Sequence, residues 1–133
     1  MDGGEIAWDD ESRFDDARSP ASTAPHTEDV FTGRVAAFEE QRELRSWTAD
    51  VYRVEVVSVL RGDVRGTVRV TYAPEDEPRP RLVDGETYVF ATRAWPDTVK
   101  DGHAQLFKGE MKPLDDAQLT VWKKAVALPM APR

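Results

Sequence analysis

The chain has 133 residues, enough for one domain that buries a core without covalent staples, and it contains no cysteine, which excludes disulfides and thiolate metal sites. Its formal net charge is −7, but residues 1–28 hold eight acids against two bases, so the remaining body carries only −1. A nearly neutral body lacks the basic field that phosphate-backbone binding relies on, and no apolar run approaches the roughly 18 residues that span a membrane.

Residues 1–28 read as an acidic N-terminal extension. Ser19-Pro20-Ala21-Ser22-Thr23-Ala24-Pro25 looks like a small, proline-punctuated linker, and the large apolar residues Ile6, Trp8 and Phe14 stand alone. Trp8 and Phe14 are candidate anchors that dock on the body or on a partner. Met1 is followed by Asp2, Gly3, Gly4 and Glu5, which is no export signal, so the sequence as written suits the cytoplasm. An extracellular location is the expectation if the sequence is a processed or truncated form.

From Asp29 the apolar pattern has period two. Phe31, Gly33, Val35 and Ala37 share one face of a first strand, with Gly33 where a missing side chain lets the strand coil. Glu39 to Trp47 reads as a charged connection, with a second strand from about Asp50. There Tyr52, Val54 and Val56 lie on one face and Val57 and Val59 on the other, a change of phase that predicts a β-bulge. Arg61 to Gly66 is a turn; its Arg-Gly-Asp triplet is read as turn chemistry, not as an integrin ligand. Val68, Val70 and Tyr72 face inward from a third strand. Residues 73–82 form a proline-rich polar loop, Asp84-Gly85 a turn, and Tyr88 to Ala91 a strand covered on both faces. Leu106, Phe107, Gly109 and Met111 are assigned to a fifth strand. Asp115, with Gln118 as capping-box partner, starts a helix whose apolar face is Leu119, Trp122, Ala125 and Val126. Residues 29–128 thus make one unit and 129–133 a tail. The expected fold is mainly β, a five-stranded antiparallel barrel of the oligonucleotide/oligosaccharide-binding type closed by a C-terminal α-helix.

Four stretches, taken in order, carry a resemblance: Asp29-Val30-Phe31-Thr32-Gly33-Arg34-Val35, Val51 to Gly62, Gly66-Thr67-Val68-Arg69-Val70-Thr71-Tyr72, and Gly85-Glu86-Thr87-Tyr88-Val89-Phe90-Ala91. Together they resemble the bacterial branch of the netrin-like family, whose small barrel is shared with the tissue inhibitors of metalloproteinases. The likeness covers about residues 29–116. It implies a non-catalytic module that binds a protein or other ligand through its loops and the acidic extension. In the inhibitors an N-terminal cysteine chelates the protease zinc, and no residue here matches it.

Residues able to carry chemistry are sparse. His26 and His103 are the only histidines, and Ser12, Ser19, Ser22, Ser46 and Ser58 lack a nucleophile-elbow setting, so neither enzyme, metal site nor cofactor is expected. Trp47 and Trp95, at strand–loop junctions, and the outward-facing Arg53 and Arg69 are the candidate binding residues. They would serve a protein partner, with nucleic acid not expected, no membrane span, and a single-stranded nucleic-acid or oligosaccharide binder as the alternative. Nearby acids offer these arginines cross-strand pairing instead.

Overall fold

The computed structural model describes residues 19–44, 47–72, 81–95, 102–108 and 111–130. Trp8 and Phe14 lie outside these residues, as does the side chain of Trp47. In chain order the elements are α1 (Pro20–Thr23), a 3-10 turn (Ala24–His26), β1 (Asp29–Leu44), β2 (Trp47–Arg61), β3 (Thr67–Tyr72), β4 (Thr87–Ala94), β5 (Gly102–Gln105) and α2 (Asp116–Val126).

The five strands close a barrel in the order β1-β2-β3-β5-β4, with β4 paired back to β1. This is the five-stranded, oligonucleotide/oligosaccharide-binding type of closure. The expectation of an all-antiparallel barrel needs one correction: β3 and β5 run parallel, Arg69 opposite Gly102 and Thr71 opposite Ala104. A ring with an odd number of strands cannot alternate direction at every seam, so one parallel seam is obligatory.

The first two strands are longer than their apolar pattern. β1 continues through the charged stretch to Leu44, opposite Trp47, so most of the expected connection is itself a hairpin. Four register shifts coil this hairpin around the barrel. Val57 and Leu60 are the extra residues on β2, and Ala36 and Glu39 those on β1. The bulge at Val57 accounts for the change of phase in the sequence. Gly33 is required by closeness of approach: a Cβ there would collide with Val54 Cγ1 and press on Phe31 and Phe90.

Two apolar clusters result. Phe31, Val35, Tyr52, Val54, Val70, Tyr88 and Phe90 are among those filling the barrel, with Phe31 and Phe90 stacked at 5.5 Å. Burial pushes the Tyr52 phenol up to about 12, so it stays protonated; its hydroxyl accepts from the Leu82 amide at 3.1 Å and donates to the Asp50 carboxylate at 3.4 Å. The second cluster lies outside the wall, where Val30, Val89 and Ala91 meet Ala24, Phe107, Trp122 and Ala125. β4 is therefore covered on both faces, as its unbroken apolar run predicts. Asp115 caps α2 by accepting from the Gln118 amide at 2.7 Å. The capping box is half made, because the Gln118 side chain donates instead to Pro113 O at 2.8 Å.

Two sequence assignments change. The fifth strand is Gly102–Gln105; Leu106, Phe107 and Met111 are not in it, and Gly109 lies outside the described residues. Phe107 leaves the sheet to meet Trp122 edge-on at 5.2 Å, while Gln105 Oε1 accepts from the Ala91 amide at 3.0 Å. The segment read as a linker is folded: Ser19 Oγ caps α1, and Thr23, Ala24 and Thr27 are buried. Arg61 holds this turn, donating to Ala24 O and, across the outer layer, to Val126 O at 2.6 Å and Leu128 O at 3.4 Å. The arginine of the Arg-Gly-Asp triplet thus ties both ends of the described chain to β2.

Candidate functional site

An open cleft of about 600 Å³ lies at the end of the barrel where β1 begins, the β2–β3 turn passes and β5 starts. Its charged lining is Glu28, Asp29, Asp63, Arg65 and His103. The geometry starts from the turn. Gly62 adopts φ 94°, a left-handed conformation natural to glycine, and a Cβ there would strike the Asp29 carboxylate. That fit lets the Asp63 amide donate a hydrogen bond to Asp29. Barrel closure supplies the other side: β4 pairs with both β1 and β5, so His103 Nδ1 comes within 3.7 Å of Asp29 Oδ2 and 3.3 Å of Thr92 Oγ1. The imidazole also meets the edge of Phe31, centroids 6.5 Å apart.

Asp29 is only 7% exposed, and burial raises its carboxyl above the usual range. His103 and the Asp63 amide oppose that rise, whereas the charges of Asp63 and Glu28 add to it. Glu28 Oε1 is turned to the rim, accepting from the Ala94 amide at 2.9 Å. Among the described residues the cleft therefore gathers three carboxylates against one guanidinium and one imidazole. A positively charged group would relieve the crowding among those carboxylates. Among the described residues no group of His, Asp and Glu is arranged to hold a metal ion, and no helix is long and apolar enough to cross a membrane.

The residues singled out from sequence do not converge here. Arg53 and Arg69 face each other across β2 and β3 and share Glu39, at 3.5 Å and 2.9 Å. Their exposed positions match the sequence reading, and their charge is met by the bulged residue of β1. Trp95 follows β4 at the cleft end, where its amide donates to Gly102 O at 2.8 Å. Trp47 sits opposite Leu44 at the far end of the β1–β2 hairpin, so the two tryptophans are placed at opposite ends of the barrel. Asp29, Asp63 and His103 were missed by sequence reasoning. Asp29 and His103 are far apart in the chain and meet only because β4 and β5 close the ring; neither occupies a recognisable motif.

No family model and no curated protein matches this chain in sequence.

Proposed function

We propose that this protein is a non-catalytic binding module of the netrin-like type, and that it engages a protein partner through the loops at the Asp29–His103 end of the barrel. The cleft there would take a cationic group, the side chain of a lysine or arginine or a chain-terminal amine. One observation carries this reading: the buried, desolvated Asp29 carboxylate stands with Asp63 and Glu28 around an opening that, among the described residues, only Arg65 and His103 counterbalance. The netrin-like part rests on the four sequence stretches together with the barrel they form. The non-catalytic part rests on the scarcity of nucleophile and base pairs in the sequence.

The direct test is an NMR titration with a lysine-containing peptide and its norleucine counterpart. Lysine-dependent shifts at Glu28, Asp63 and His103, lost in the double variant Glu28→Gln, Asp63→Asn, are the expected result. Equal shifts with both peptides, or shifts confined to the Arg53–Arg69 face, would overturn the cleft as the site.

A further inference from the structure

His103 is placed by barrel closure. On β5 it lies opposite Val70 of β3 and Ala94 of β4, and its ring meets Phe31 of β1 edge-on. Its Nδ1 faces two oxygens, Thr92 Oγ1 at 3.3 Å and Asp29 Oδ2 at 3.7 Å. Both ionisable side chains are largely enclosed, 13% exposed for His103 and 10% for Asp29, so water screens them poorly from each other.

The two protonation states of the imidazole treat Asp29 differently. With its one proton on Nε2, the neutral ring accepts the Thr92 hydroxyl at Nδ1 and leaves the Asp29 carboxylate on the cleft wall. Once both nitrogens carry protons, Nδ1 can only donate, and the anion is a stronger acceptor than the hydroxyl. Closing the gap to Asp29 into a charge-assisted hydrogen bond takes a shift of about 0.9 Å. The other charged groups around the ring are Glu28 at the start of β1, and Asp63 and Arg65 in the β2–β3 turn. The charged residues of the flanking strands are engaged elsewhere: Arg69 of β3 with Glu39, and Arg93 of β4 with His26 O. Among the described residues, the ionised lining carries −2 around a neutral imidazole and −1 around a protonated one.

We infer that His103 is a proton-operated switch on the cation cleft: neutral, it leaves Asp29 to an incoming ammonium or guanidinium group, and protonated, it takes Asp29 as its own partner and repels that group. The inference rests on the cleft being the cation site and adds the regulation of that site. An imidazole ordinarily gains its charge between about pH 8 and 5. Cation and proton compete for one carboxylate, so by linkage binding weakens as pH falls, and binding expels a proton.

The test uses the full-length protein and a lysine peptide with blocked termini and no other titratable side chain, so that pH acts on the protein alone. In calorimetric titrations Kd is expected to rise at least about tenfold from about pH 7.5 to about pH 5.5. At about pH 6, added peptide drives the NMR signals of the wild-type His103 ring towards the neutral form. His103→Gln binds alike at both pH values, whereas His26→Gln, which removes the other imidazole, keeps the step. A step that survives His103→Gln, as titration of Asp29 alone would leave, overturns the inference. Ring signals of His103 that ignore the peptide overturn it too, whether or not that variant folds. Equal affinity at both pH values overturns the switch and leaves the cleft as the site. Absence of lysine-dependent binding at the higher pH overturns both.

Discussion

Burial sets the cost of the Asp29 carboxylate, and that cost has a direction that can be measured. Its carboxyl is raised in the folded protein, first by desolvation, so the charged form is less favourable there than in the unfolded chain. The stabilising contribution is thus present below the usual carboxylate range and is lost as pH rises through the raised value. Asp29→Asn is expected to melt at higher temperature than the wild type at pH 7, with the gap closing as pH falls towards about 4. Thermal melts across that interval check it; a variant less stable at pH 7 would show that the charge supports the fold. Gly62 belongs to the same argument, because any side chain there meets Asp29. The Asp29–His103 pair was not legible from sequence, whereas the fate of Arg53 and Arg69 was, since acids near them already offered partners.

At the scale of elements, legibility followed how many environments each residue serves. β4 and α2 were read correctly because a two-sided apolar run and a capped 3.6-residue period each have one structural solution. Trp122 is 3% exposed and packs on Phe107, so Trp122→Ala should cost roughly 3–5 kcal/mol in urea unfolding. A loss under about 1 kcal/mol would mean that α2 does not hold the outer layer. Phe107 and Met111 misled the assignment of β5 because their apolarity serves that outer layer and not a strand. The segment from Ser19 to His26 misled in the opposite way: its small residues look like a linker, yet small side chains are what let Thr23 and Ala24 sit under α2, where Ala24 O accepts from the Arg61 guanidinium. A chain starting at Thr27 should therefore melt on the order of 5–10 °C below one starting at Ser19. Equal melting temperatures would make the turn dispensable.

For the whole molecule, charge and closure act together. The body carries −1 and the first 28 residues −6, and two outward arginines of the sheet share one glutamate. Binding of a mixed-sequence single-stranded oligonucleotide at physiological salt is expected to be absent by fluorescence anisotropy; micromolar binding that weakens steeply with added salt would favour the nucleic-acid reading. The sequence by itself determined a β barrel with a C-terminal helix and the bulge near Val57. These are encoded in period, phase and local residue type, quantities that a linear chain carries. Only the tertiary structure decided the parallel β3–β5 seam, the double duty of Arg61 and the meeting of Asp29 with His103. Each of these depends on which distant strands become neighbours when five of them close a ring, and no local pattern specifies that.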